Sequence, residues 1–132
     1  MVARSSRPKS AGKTPGLDRL KQRAEFLRAA RGVRRVAPGL TLEICENPGG
    51  TAVRVGFTAS RKVGNAVVRN RAKRRLRAAA AEVLAGAGLP GTDYVLVARA
   101  MTVGRPFESL KSDLAQAIAA AHVRLVRSGE GP

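Results

Sequence analysis

Apolar and polar residues alternate twice between residues 40 and 60. In an extended chain, Leu40, Leu42 and Ile44 fall on one face and Thr41, Glu43 and Cys45 on the other. Pro48-Gly49-Gly50 then reads as a turn. After it, Val53, Val55, Phe57 and Ala59 alternate with Arg54, Gly56, Thr58 and Ser60. The pattern predicts two neighbouring strands over 40–46 and 52–60, paired as an antiparallel sheet with one apolar and one polar face. The apolar face requires a helix packed against it. The polar face is left to meet a ligand.

The other segments repeat at helical spacing. Residues 20–31 (LKQRAEFLRAAR) predict a short helix stopping before Gly32, a glycine suited to a C-terminal cap. A long helix is expected from about Asn65 to Ala85, with Val68, Ala72, Leu76, Ala79 and Val83 on one stripe. Asn70, Lys73, Arg74 and Arg77 fall opposite that stripe, and Arg69, Arg71 and Arg75 sit on its shoulders. A further strand, 94–98, follows the Gly91-Thr92-Asp93 turn. A last helix begins near Pro106 and carries Phe107, Leu110, Leu114, Ile118, Ala121 and Leu125 on its apolar side. Helix, strands, helix, strand, helix is an α+β order and predicts a two-layer α/β sandwich. The expected limits are a disordered basic arm over 1–16, one domain over 17–126 and a disordered tail over 127–132, because the ends carry little to bury. No internal repeat interrupts this order.

Charge narrows the function. The 132 residues hold 25 Lys and Arg against 9 acids, a formal net charge of +16. Self-repulsion of that size opposes folding and points to a polyanionic partner, in first place nucleic acid. No long apolar run or signal-peptide pattern favours a membrane. Arginine outnumbers lysine, and its planar fork matches phosphate and stacks on bases, which fits RNA. Between Glu46 and Glu82 there is no acid, but nine basic residues: Arg54, Arg61, Lys62, Arg69, Arg71, Lys73, Arg74, Arg75 and Arg77. Six of them crowd into residues 69–77. Like charges at i,i+4 destabilise a helix, so a purely solubilising role explains this run poorly. A cationic ridge of this kind tracks phosphates and reads little sequence by itself.

Catalytic chemistry is not visible in the side chains. His122 reads as a structural or surface histidine, and Cys45 as a packed strand residue. One cysteine excludes an internal disulfide and, with one histidine, a Cys/His zinc site, which suits a cytoplasmic protein. The acids are scattered, giving no acid/base pair or divalent-metal site, and no glycine-rich nucleotide loop appears.

The segment Phe57–Arg77, FTASRKVGNAVVRNRAKRRLR, resembles the signature region of the bacterial ribonuclease P protein family. The likeness lies in Arg69-Asn70-Arg71 followed by Lys73, Arg74 and Arg77, with Ser60, Lys62, Gly64, Asn65 and Ala66 upstream. It extends from about Leu17 to Leu125 and includes RLKQRAEF at 19–26 and DYVLVAR at 93–99. Ala72 stands where the family more often has a larger aliphatic residue.

The resemblance implies a mixed sheet with a left-handed βαβ crossover, related to a ribosomal-protein domain. It implies the protein subunit of an endoribonuclease that removes the 5′ leader of precursor tRNA, with catalysis carried by the RNA subunit and its Mg²⁺. The implied partners are ribonuclease P RNA and precursor tRNA, with no DNA, membrane or small-molecule substrate. Arg61, Lys62, Arg69, Asn70, Arg71, Lys73, Arg74, Arg75 and Arg77 would meet the catalytic RNA and phosphates. Phe26, Thr41, Arg54, Thr58 and Ser60 would line a cleft for the single-stranded leader, with Phe26 either stacking on a base or serving as a core residue. The family often has a second aromatic where this chain has Ala30, and a Tyr where it has Glu43. A ribosomal or ribosome-assembly protein would share the charge and fold class, but the Arg-Asn-Arg motif argues against it. A helix-turn-helix DNA binder would need two short helices around a tight turn, which the pattern does not offer.

Overall fold

The computed structural model describes residues 17–47 and 50–130, with side chains through Leu125. The expected arm over 1–16, Pro48-Gly49 of the expected turn and residues 131–132 lie outside the described residues. The elements run β1 (Asp18–Arg19), α1 (Arg23–Ala30), β2 (Val33–Val36), β3 (Leu40–Glu46), β4 (Val53–Thr58), α2 (Ala66–Ala87), β5 (Thr92–Ala98) and α3 (Phe107–Glu130). The result is an α+β fold with one mixed five-stranded sheet, ordered β1-β4-β5-β3-β2.

The faces of β3 and β4 match the alternation, but their pairing does not. β5 lies between them, parallel to β4 and antiparallel to β3. The expected antiparallel pair is therefore corrected to two strands separated by a third. Alternation assigns a face to each residue and is silent about the partner strand. β5 takes the centre because six of its seven residues are buried, which only a strand covered on both faces supports. The connection from β3 to β4 crosses the entrance to β5. Asn47 N–H donates to the Gly91 carbonyl at 2.7 Å, and Gly91 N–H donates to the Ala52 carbonyl at 2.9 Å. Gly91 has φ +75° there, and a β-carbon on it would stand 2.9 Å from the Gly50 carbonyl oxygen, so glycine is required.

α2 and α3 cover one face of the sheet. Leu40, Leu42, Ile44, Val55, Phe57, Tyr94 and Leu96 pack against Leu76, Ala79, Ala80, Leu84, Leu110, Leu114 and Ile118. Pro106 precedes the first turn of α3 and accepts from Leu110 N–H at 3.0 Å. At its other end α3 runs to Glu130, four residues past the expected 126 boundary. The opposite face carries α1, which buries Ala29 with Leu20, Cys45 and Val95, and Phe26 packs on that group. Two short strands escaped the pattern. β2 is four residues long with two arginines at its centre, and β1 is a two-residue edge.

A candidate nucleic-acid interface in two parts

The first part is the outer side of α2. Asn65 caps the helix, its side-chain oxygen accepting from Val68 N–H at 3.0 Å. Ala72, Leu76, Ala79, Ala80 and Leu84 are buried. This stripe is turned toward Ala80 and Leu84, roughly 40° from the one predicted, at 100° per residue. The outermost ridge is accordingly Asn70, Arg71 and Arg74, with Arg69, Lys73, Arg75 and Arg77 half-buried at its sides. Arg61 and Lys62 are exposed in the turn before the helix, where Ser60 accepts from Lys62 N–H at 3.3 Å.

The flanking arginines are partly engaged. Arg69 donates to the Gly64 carbonyl at 3.0 Å, bracing the loop that leads into the helix. Arg75 turns inward and donates to the carbonyls of Thr102 and Arg105, holding the β5–α3 connection. Arg77 lies 5.5 Å from the centre of the Phe57 ring, and its buried Nε finds no acceptor among the described residues. Burial, then the nearby charges of Arg19 and Arg74, push the Arg77 guanidinium below its usual pKa.

The second part is a cleft of about 410 Å³ between α1 and the sheet, lined by Lys21, Arg23, Phe26, Glu43, Phe57, Thr58 and Val95. The strand registers explain its floor. Gly56, Val95, Glu43 and Arg34 form one cross-strand row, and Thr58, Val97, Thr41 and Val36 form the next. Phe26 leans from α1 onto the first row. A β-carbon on Gly56 would stand 2.5 Å from its ring, so Gly56 makes room for the aromatic. Of the residues expected to line the cleft, Phe26 and Thr58 do so. Ser60 is exposed beyond the end of β4, and Thr41 is only 5 % exposed within its row.

Arg54 belongs to a third row, where acids claim it. Its Nε and terminal nitrogen both donate to the Asp93 carboxylate at 2.8 Å, and its other terminal nitrogen donates to Glu25 at 2.9 Å. Arg28 adds a third bond to Asp93 at 3.1 Å. Asp93 is wholly buried and so requires this compensation. Glu25 also accepts from the backbone N–H groups of Gln22 and Lys21 at 3.0 Å each. Those two bonds, and then Arg54, hold its carboxyl below the usual range. The network fastens α1 to the sheet and thereby sets the width of the cleft. Sequence reasoning missed it, although an acid at the start of β5 facing an arginine on another strand was its visible trace.

His122 Nε2 lies 2.7 Å from the Tyr94 hydroxyl, which also accepts from Leu89 N–H, so the histidine ties α3 to the sheet. Burial lowers its pKa. Cys45 is buried beside Arg28 and Asp93. Among the described residues, no three His, Cys, Asp or Glu side chains gather as metal ligands, and no helix is long and apolar enough to cross a membrane.

The Ribonuclease P family model matches residues 15–122. The ribonuclease P protein component of Ruegeria pomeroyi is 49 % identical over 110 residues, which cover 81 % of this chain and 88 % of that protein. The corresponding protein of Paramagnetospirillum magneticum is 49 % identical over 107 residues, 77 % of this chain and 80 % of that one. Among solved structures, the Staphylococcus aureus RNase P protein aligns with a TM-score of 0.66 and 27 % identity, covering 78 % of this chain and 94 % of that one. With the basic helix and the cleft in place, the sequence relatives and the fold agree: this chain belongs to the ribonuclease P protein family.

Proposed function

We propose that the chain is the protein subunit of a cytoplasmic ribonuclease P, binding the catalytic RNA along α2 and the 5′ leader of precursor tRNA in the cleft under α1. The observation that carries this reading is the exposed ridge of Asn70, Arg71 and Arg74, from a segment without a single acid between Glu46 and Glu82. Arg61, Lys62, Arg69, Lys73 and Arg77 extend the same positive field. The spacing of ridge and cleft on opposite sides of the β4–α2 connection lets one protein touch two RNAs at once. In this reading Phe26 offers a face to an unpaired leader base, Val95 the floor, and Lys21 and Arg23 the rim where a phosphodiester backbone passes.

The chemistry is hydrolysis of a phosphodiester bond with Mg²⁺ held by the RNA subunit. In this reading the protein holds no part of the reacting centre, and its buried acids Asp93 and Asp113 are engaged by arginines. Its own share is electrostatic: it lowers the repulsion between two RNAs and so reduces the Mg²⁺ needed to bring them together. The test is cleavage of precursor tRNA by a bacterial ribonuclease P RNA at low Mg²⁺. Added protein should restore cleavage at the mature 5′ end, and Arg69, Arg71 and Arg74 changed together to Ala should abolish that rescue. Tight RNA binding without restored cleavage would return the chain to a ribosomal role.

A further inference from the structure

Glu43 is an acid on the floor of a cleft in a protein of net charge +16. Against a polyanion it opposes binding, unless what it touches is not phosphate. It stands in the row Gly56–Val95–Glu43–Arg34, on the same sheet face as the Phe26 ring. Its side chain is 15 % exposed. Arg34 Nε lies 3.9 Å from its carboxylate, beyond hydrogen-bond reach, and leaves the acceptor positions on that side uncommitted. The nearby aromatic and the cleft of about 410 Å³ provide a platform and room for one nucleobase.

An ionised carboxylate only accepts, through two parallel oxygens. Among the four RNA bases, guanine offers two adjacent donors on its Watson–Crick edge, N1–H and the N2 amino group. Adenine and cytosine each set an amino donor beside a ring nitrogen with a lone pair, and uracil sets one N–H between two carbonyls. All three turn a lone pair toward a carboxylate oxygen. We propose that Glu43 selects guanine at one leader position, accepting N1–H and N2–H while the ring rests against Phe26. The proposal depends on the leader occupying this cleft. It makes Glu43 a specificity determinant for the leader.

The experiment uses the reconstituted holoenzyme and precursor tRNAs whose leaders contain only A and U, except for one G moved through successive positions. Wild-type affinity should rise about tenfold at one position, within the discrimination a bidentate base contact provides. Glu43→Gln presents one acceptor and one donor, so it should lose the guanine preference and gain for adenine or cytosine at that position. A merely structural role for Glu43 would weaken all leaders alike and move no preference. Equal affinity for guanine at every position, with leader deletion still weakening binding, would overturn the proposal and leave the cleft reading intact. If deleting the leader changes nothing beyond what the RNA subunit alone shows, the cleft reading falls, and the guanine proposal falls with it.

Discussion

Two groups of arginines in this protein have opposite fates. On the sheet face under α1, Arg54 and Arg28 converge on the buried carboxylate of Asp93, and Arg54 also reaches Glu25. On α2, Arg71 and Arg74 stand exposed with no acid in their stretch of chain. The side-chain chemistry is the same, so the difference lies in where the acids are. An arginine with a carboxylate within reach becomes part of the framework, and one without remains available to a partner's phosphates. Arg75 adds a third case, since the backbone carbonyls of Thr102 and Arg105 turn it inward without any acid.

The largest effect should come from removing the acid at the centre of the paired group. Asp93→Ala leaves Arg54 with Glu25 as its one acid and Arg28 with none, and should cost about 3 kcal/mol of stability, measured by denaturant unfolding. A change of the exposed Arg71 and Arg74 to Ala should leave stability level or slightly higher, because it relieves repulsion. Equal losses from both would erase the distinction between the two groups.

A smaller effect should appear with pH. Glu25 is held below its ordinary pKa of 4.5 by the Gln22 and Lys21 amides and by Arg54. Its contribution is present above that ordinary value and is lost as pH falls through the lower folded value. Acid titration of stability should therefore lose a component in Glu25→Gln, while substitutions on the ridge leave the acid limb unchanged. An identical acid limb in Glu25→Gln and wild type would remove Glu25 from the network.

Much of this was legible in the chain. The length of α2 and the faces of β3 and β4 followed from periodicity, because burial selects every second or every third and fourth residue wherever the chain runs. Strand order did not follow, since Val53–Thr58 alternates equally well beside β3 or beside β5. Val33-Arg34-Arg35-Val36 was hidden because two adjacent arginines, one exposed and one half-buried, on an edge strand look like loop. Within the candidate interface, Thr58 was legible as a cleft residue from the polar face of its strand, and Phe26 only through the family resemblance. The binding of Arg54 by Asp93 was not, because 39 residues separate them in sequence and only the parallel β4–β5 register brings them together.

In the proposed function the exposed α2 arginines, and not the paired ones, carry the affinity for RNA. The most direct test is the salt dependence of binding to ribonuclease P RNA. If ~6 phosphates are neutralised, the log–log slope for the wild-type protein should be near −4. Changing Arg71, Lys73 and Arg74 together to Ala should shrink that slope by about 2, at roughly 0.7 per lost contact. Arg75→Ala should leave it unchanged. Slopes that match the wild type in the ridge variant, or that fall equally in both variants, would contradict the account.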